Sequence, residues 1–279
     1  MKRTIILICI NLIGLYAYNQ TELTSNQKKA IEYHDLGYIN YLSKDYKTAI
    51  DQFSKSILLD SMLLGNYLDR GVLYKETGQY IESEKDFKRF ISLTKNDAFQ
   101  GYNNLGLLYK RQKKYLESIN QFNQSIILKS DCFECFYNRA QTYESLNKTK
   151  EAINDYSSAL KLNNTHSNAY YNRGNLKYAA QDLNGAIEDY SKALSLNPDN
   201  KFDVYYNRAM CYTSKKLYKE GKSDFEKYLS SNKMNSDAYY NIAICCYYLN
   251  DFKGACAYAT ESLKLGNKKA KAVSDASCH

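Results

Sequence analysis

The sequence predicts an all-α protein made of stacked helix pairs, and two observations lead to this fold class. A small residue recurs at intervals of 34 or 35 residues along most of the 279-residue chain, and a fixed period of this size is typical of stacked repeats. The chain also contains one proline, which suits a protein built almost wholly from helices. Because each repeat contacts only its neighbours, we predict one quasi-linear domain rather than separate globular domains.

The first helix of each predicted pair is marked by the recurring small residue. Two helices joined by a tight turn approach closely only where one side chain is nearly absent, and the facing position on the second helix is also small. The small residues of the first helices are Gly37, Gly71, Gly106, Ala140, Gly174, Ala209 and Ala243. Those of the second helices are Ala49, Ser83, Ser118, Ala152, Ala186, Gly221 and Ala255.

The second helix of each pair carries a large ring four residues after its small residue, and an aliphatic residue four positions further on. The rings are Phe53, Phe87, Phe122, Tyr156, Tyr190 and Phe225, with Ala259 in the seventh unit. The aliphatic residues are Ile57, Ile91, Ile126, Leu160, Leu194, Leu229 and Leu263. Positions i, i+4 and i+8 lie on one side of a helix, so this pattern predicts the buried face.

This pattern resembles the tetratricopeptide repeat, a helix-pair motif of about 34 residues, from about Ala30 to Lys269. The resemblance implies a right-handed superhelical α-solenoid of antiparallel helix pairs with a concave groove. The seven units are predicted at 30–63, 64–98, 99–132, 133–166, 167–201, 202–235 and 236–269. Residues 270–279 are too few for another unit and form a short remnant, in which Lys271 to Ala276 could supply one turn of the extra helix that often ends such an array. Because the last unit has Ala259 in place of a ring, we predict a loose C-terminal end. The closing proline of the family motif occurs only at Pro198.

The N-terminus differs from the repeats. Lys2 and Arg3 precede an apolar run from Thr4 to Tyr16, which has the charged-then-apolar order of a secretory signal. We therefore predict a signal peptide or an uncleaved N-terminal anchor over 1–17, and a polar lead-in over 18–29. The protein is then exported, as a periplasmic, envelope-associated or secreted chain, and an uncleaved anchor would be its one membrane contact.

Eight cysteines are present, and removal of a signal peptide with Cys9 would leave an odd number. Cys132 and Cys135 form a Cys-x-x-Cys pair, which alone cannot complete a four-ligand zinc site. We interpret the pair as a local disulfide or as two ordinary thiols, and catalytic redox work as the weaker alternative. Three further cysteines lie on first helices, where small apolar residues are normal, and are predicted to be buried: Cys211, Cys245 and Cys246.

Candidate binding residues follow from the position of an amide on the first helices. Each unit has Asn or Asp two residues before its small residue, and the asparagines are Asn104, Asn138, Asn172, Asn207 and Asn241. Tyrosines precede the last four of these, at Tyr137, Tyr171, Tyr206 and Tyr240. In the resembled family this Asn often faces the groove and hydrogen-bonds the backbone of an extended peptide. The alternative is that Asn bonds neighbouring helices and that Tyr packs between units.

Arginine replaces the family leucine in four units, and an aspartate lies 16 residues after each arginine. The pairs are Arg70 and Asp86, Arg139 and Asp155, Arg173 and Asp189, and Arg208 and Asp224. The three units without this arginine also lack the aspartate. We therefore predict a salt bridge within each of the four units, and we exclude these arginines from the binding residues.

The remaining features argue against catalysis and against nucleic acid as a partner. The formal charge of +8 is spread among interspersed acids, without the basic stripe that nucleic-acid binding needs. His34, His166 and His279 lie in different parts of the array, and no phosphate loop, metal-ligand cluster or nucleophile motif appears. We predict a non-catalytic scaffold without cofactor or metal that binds a peptide or protein segment in its groove. The alternatives are a structural subunit of an envelope-associated assembly that docks through its edges and, less favoured, a thiol-redox enzyme.

Overall fold

The computed structural model describes residues 23–94 and 98–278, and these ranges contain fifteen helices and no strand. The predicted signal or anchor at 1–17 lies outside the described residues. In chain order the helices are α1 (Ser25–Leu42), α2 (Tyr46–Leu59), α3 (Gly65–Glu76), α4 (Tyr80–Thr94), α5 (Phe99–Arg111), α6 (Tyr115–Leu128), α7 (Phe133–Ser145), α8 (Thr149–Leu162), α9 (Ser167–Ala179), α10 (Leu183–Ser195), α11 (Lys201–Ser214), α12 (Tyr218–Leu229), α13 (Ser236–Tyr248), α14 (Phe252–Lys264) and α15 (Ala270–Ser277). The predicted all-α solenoid class is confirmed.

The chain divides into two compact units, 1–142 and 143–279. In the first unit, α1 packs on α2, α3 on α4, and α5 on α6, and each hairpin also packs on the next. In the second unit, α8 packs on α9, and the hairpins are α9 with α10, α11 with α12, and α13 with α14. The repeat period therefore corresponds to successive helical hairpins within each unit.

The turns inside the hairpins share one backbone conformation. Two positions after the end of the first helix stands a residue with positive φ. It is a glycine once, at Gly78 (φ 81°), and otherwise a lysine, asparagine or glutamine such as Lys113 (φ 60°) or Asn250 (φ 60°). Asp45, Asp182 and Asp251 then cap the next helix by accepting a hydrogen bond from a backbone N–H three residues on. This geometry reverses the chain within a few residues and sets the two helices side by side.

The predicted contact between ring and small residue forms the core of each hairpin. All six rings are buried with at most 1% exposure: Phe53, Phe87, Phe122, Tyr156, Tyr190 and Phe225. A Cβ atom built on Gly71 would lie 2.6 Å from Cε1 of Phe87, and one on Gly106 would lie 2.7 Å from Cε1 of Phe122. These two positions leave no room for a side chain, which explains the recurrence of glycine there.

Both ends of the array carry helical structure beyond the predicted units. Helix α1 begins at Ser25, inside the stretch predicted as a polar lead-in, because Thr24 and Gln27 form a capping box there. At the other end, 270–277 is the helix α15, which packs on α13 and α14. Ala270 and Val273 of α15 cover the buried Ala243 and Ala259, and a disulfide joins Cys256 to Cys278. The last hairpin is therefore capped by a helix, and the predicted looseness of this end stays a prediction.

No helix in the described ranges combines the length and the hydropathy that crossing a membrane requires.

Candidate functional site

The predicted binding residues lie on the first helices of the hairpins, and all nine side chains are half-buried. Asn104, Tyr137 and Asn138 belong to the first compact unit, on α5 and α7. The other six belong to the second unit, where α9, α11 and α13 carry Asn172, Asn207, Asn241, Tyr171, Tyr206 and Tyr240. We call the surface of these first helices, within each compact unit, the first-helix face.

A hydrogen-bond network joins α9, α10 and α11 on the first-helix face of the second unit. Nδ2 of Asn207 donates to Oδ1 of Asn175 at 3.0 Å and to the hydroxyl of Tyr171 at 3.3 Å. The hydroxyl of the buried Tyr190 donates to the same Oδ1 of Asn175 at 2.7 Å. Asn175 was not among the predicted residues, although its position three residues after Asn172 could have indicated it.

The other predicted asparagines also donate within the protein. Nδ2 of Asn138 donates to Oδ1 of Asn103 at 3.2 Å, and that of Asn172 donates to the hydroxyl of Tyr156 at 3.2 Å. Asn241 donates to the sulfur of Met210 at 3.7 Å, while Asn104 donates to the backbone oxygen of Gln100 at 3.0 Å. Bonding to neighbouring helices, which the sequence left open as the alternative, therefore occurs at Asn138, Asn172, Asn207 and Asn241.

The amide oxygens of four of these residues remain available. Within the described ranges, no group donates to Oδ1 of Asn104, Asn138, Asn207 or Asn241, and none of these atoms is sealed from solvent. The internal bond made by each Nδ2 fixes the plane of the amide. Each Oδ1 is thus an oriented acceptor that an incoming N–H group could use.

The predicted tyrosines make ring contacts within their units. Tyr206 lies 4.9 Å from Tyr228 and 5.4 Å from Phe225 between ring centroids, and burial raises its pKa. Tyr171 lies 6.2 Å from Tyr190, and Tyr240 packs against the buried Ala243 and Ala259. Packing is thus one role of these rings. Because the rings are only half-buried, part of each stays accessible to solvent on the first-helix face.

A polar cluster in the first unit was not predicted. Nδ2 of the buried Asn66 donates to Ser56 and to the backbone oxygen of Leu63, which leaves its Oδ1 to accept from Nδ1 of His34 at 2.9 Å. Oδ2 of Asp69 lies 3.9 Å from the same nitrogen. Burial raises the pKa of Asp69 to about 6, and the charge on His34 partly opposes this shift.

The substitution Asp69→Asn tests this carboxyl group. A raised pKa means that folded Asp69 holds its proton up to a higher pH than the unfolded chain does, so it lowers stability as the pH rises from about 4 to about 6. We expect the variant to gain stability relative to the wild type across this range. The gain should be about 1 kcal/mol at most, because the side chain is 41% exposed and water screens its charge.

Urea unfolding at several pH values from about 4 to about 7 measures this difference. The exposed Asp199 provides the matched control, since Asp199→Asn should follow the wild type at every pH. A constant difference between Asp69→Asn and the wild type over the whole range would contradict the prediction.

The predicted arginine and aspartate pairs are confirmed in three units. Nε and Nη2 donate to the two carboxylate oxygens at 2.6–3.0 Å in the pairs Arg70 and Asp86, Arg173 and Asp189, and Arg208 and Asp224. In each case Nη1 also donates at 2.9 Å to a serine of the preceding second helix. The bridge therefore joins two hairpins as well as two helices. The pair Arg139 and Asp155 has one member in each compact unit and stays a prediction.

The described cysteines divide into two disulfides and three thiols. Cys132 is joined to Cys135, and Cys256 to Cys278. Cys211, Cys245 and Cys246 are fully buried, as predicted. Burial raises the pKa of Cys211 to about 12 and that of Cys245 to about 11, so these thiols are poor nucleophiles. No group of three potential metal ligands occurs within 23–94 and 98–278.

Comparison with known families decides what the hairpins are. One sequence model of the tetratricopeptide repeat matches residues 133–166 and 167–200, and a second matches 64–97, 99–132 and 202–233. Together the matches span more than half of the chain. The chain is a tetratricopeptide repeat protein. Such repeats are generally non-catalytic scaffolds for protein interaction, and this protein has the architecture of such a scaffold.

Solved structures share the fold of this tetratricopeptide repeat protein. The C-terminal part of a repeat protein from Cytophaga hutchinsonii is 18% identical with a TM-score of 0.69, over 86% of this chain and 98% of that one. PilF from Pseudomonas aeruginosa is 13% identical with a TM-score of 0.65, over 74% and 93%. A repeat protein from Parabacteroides merdae is 16% identical with a TM-score of 0.57, over 90% and 100%. A search of curated protein sequences gives no match.

Proposed function

We propose that the protein binds an extended segment of a partner protein on its first-helix faces. The observation that carries this proposal is the set of oriented amide oxygens on Asn104, Asn138, Asn207 and Asn241, which no described group uses as acceptors. An extended peptide presents a backbone N–H at every residue other than proline. Fixed acceptors on each of the two faces satisfy such donors whatever the sequence of the peptide.

The half-exposed tyrosines beside these amides support the same proposal. Tyr171, Tyr206 and Tyr240 precede the asparagines of the second unit, and their rings are already ordered by contacts with the core. An ordered ring loses little conformational entropy when a ligand packs on it. The amides thus supply polar contacts with the peptide backbone, and the rings supply apolar area.

A capture experiment with two matched variants tests the proposed face. The combined substitution Asn138→Ala, Asn207→Ala and Asn241→Ala removes three acceptors, and we expect it to abolish partner capture. The cost in stability should be about 1 kcal/mol for each lost hydrogen bond. Asn120 and Asn164 are exposed, so Asn120→Ala with Asn164→Ala is the control. Capture is measured by mass spectrometry from the native envelope or secreted fraction, with circular dichroism to confirm folding.

The same partners on the triple variant and on the control would refute binding at these amides. That outcome would favour docking through the edges of the array, as expected for a structural subunit of an envelope-associated assembly.

We also propose that the protein is exported to an oxidising compartment. The disulfides Cys132–Cys135 and Cys256–Cys278 support this location, since such bonds persist outside the reducing cytosol. Alkylation of the denatured but unreduced native protein should modify three cysteines if a leader with Cys9 is removed, and four if it is retained. Modification of all seven or eight cysteines, counted by mass, would contradict export.

A further inference from the structure

A cluster of exposed apolar side chains lies at two neighbouring turns of the second compact unit. We call it the aromatic tip, and its residues are the half-buried Tyr218 and five exposed residues, Leu217, Tyr247, Tyr248, Leu249 and Phe252. Leu217 and Tyr218 follow the end of α11, and the others surround the turn from α13 to α14. Tyr248 is 59% exposed and Phe252 is 47% exposed. Water-exposed rings at this density are unusual on a soluble surface and indicate an interaction site.

The rings of the aromatic tip form one continuous surface. Tyr218 stacks on Tyr248 with 4.6 Å between centroids and 9° between planes, which joins the two turns. Tyr247 meets both Tyr248 and Phe252 edge to face at 5.7 Å. These contacts hold the rings in place before any partner binds.

The fold does not require the side chains of Tyr248 and Leu249. At the corresponding turn from α9 to α10, Ala179 and Ala180 occupy the positions of Tyr248 and Leu249, and the half-buried Leu183 occupies that of Phe252. That hairpin closes with the same positive-φ turn, at Gln181. Tyr248 and Leu249 are therefore additions to the repeat, whereas Tyr218 also packs against the buried core of the second unit.

Lysines surround the aromatic tip. Lys216, Lys219 and Lys253 are exposed, and each is adjacent in sequence to a residue of the tip. No carboxylate of the described chain lies within salt-bridge distance of these three lysines. Lys215 donates to the neutral side chain of Asn184. Among the described residues, two acids lie near the tip, Asp251 and Glu220. Asp251 caps α14 and contacts Lys222 at 3.4 Å, so Glu220 is the one of these two acids that remains to offset the charge of the three lysines. The surface around the rings thus carries an excess of positive charge.

We propose that the aromatic tip docks on an anionic lipid surface. Tyrosine and phenylalanine rings with a polar rim are suited to the boundary between lipid headgroups and acyl chains. Lysines beside the rings pair with anionic headgroups. The contribution of each lysine to the free energy of binding grows with the negative charge of the lipid surface. The rings sit on turns and are exposed rather than sunk in a pocket, so they suit a broad surface better than a single side chain of a protein partner.

A tryptophan reporter in the full-length chain tests this proposal, because the natural sequence contains no tryptophan. In Tyr248→Trp, vesicles of phosphatidylglycerol and phosphatidylcholine in equal parts should shift the emission to shorter wavelength. Leu116→Trp is the control, since Leu116 is 64% exposed near the start of α6 in the first unit and should show no shift. Adding Lys216→Glu, Lys219→Glu and Lys253→Glu to the reporter should weaken vesicle binding by roughly a hundredfold or more.

Three results would overturn the proposal. An unchanged emission of Tyr248→Trp on anionic vesicles would exclude lipid docking of the tip, even if the N-terminal apolar run attached the chain to the vesicles. An equal shift with pure phosphatidylcholine vesicles would exclude the role of the lysines. A shift with soluble polyglutamate or with rising protein concentration, but not with vesicles, would assign the tip to an acidic protein or to a second copy of this chain.

Discussion

Replacing Arg70 with alanine is expected to lower the free energy of unfolding by about 3–5 kcal/mol, because it leaves a buried carboxylate without its partner. The carboxylate is that of Asp86, which is 6% exposed and accepts two hydrogen bonds from Arg70 at 2.8 Å. Burial raises the pKa of Asp86, and the guanidinium of Arg70 opposes this shift. The substitution also removes the bond from Arg70 to Ser54 on the preceding hairpin. Urea unfolding followed by circular dichroism measures the loss.

One of the two pairs in the second unit, Arg173 with Asp189, provides a matched control for Arg70→Ala. Arg173 holds Asp189 in the same way, but Nζ of Lys177 also lies 2.9 Å from Oδ2 of Asp189. A second cation thus remains in Arg173→Ala, and we expect its loss of stability to be clearly smaller. A double-mutant cycle with Asp86→Ala should give a coupling energy of more than about 1 kcal/mol for Arg70. No coupling, or equal losses at Arg70 and Arg173, would show that the bridge does not determine stability.

The core and the salt bridges could be predicted from the sequence because each is a relation that recurs with the repeat. Gly71 and Phe87 lie 16 residues apart, as do Arg70 and Asp86, and both relations recur in other hairpins. A contact within one hairpin keeps its spacing in every unit, so the repetition itself reveals it. The serine that accepts from Nη1 of the arginine lies in the preceding hairpin. Its recurrence in the sequence is less regular, because Asn123 replaces the serine as the acceptor for Arg139.

The features that the sequence did not reveal depend on contacts without such repetition. The position of Asn207 indicated a polar group on the first helix, but its choice of Tyr171 and Asn175 depends on how neighbouring hairpins pack. The cluster around Asp69 occurs once, because only the first hairpin supplies a histidine at the position of His34. The disulfide between Cys256 and Cys278 was likewise not predicted, because no other unit has cysteines at the corresponding positions.

Removing the disulfide between Cys256 and Cys278 is the second change with a large expected effect. The bond closes a loop with a sequence separation of 22 residues, and loss of such a constraint costs about 3 kcal/mol in the chain-entropy account. Helix α15 has 8 residues, too few to be stable alone. In Cys278→Ser we expect α15 to leave its place, and the cover that Ala270 and Val273 provide for Ala243 and Ala259 would be lost.

Amide hydrogen exchange measures where this effect is confined. Exchange should become faster in α13, α14 and α15 and stay unchanged in α9 and α10, because each repeat contacts only its neighbours. Cys132→Ser is the control, since the disulfide to Cys135 closes a loop with a separation of only 3 residues and constrains the unfolded chain less. A reducing agent added to the wild type should reproduce the pattern of Cys278→Ser. Unchanged protection of α15 in both experiments would show that its packing on α13 and α14 suffices without the covalent bond.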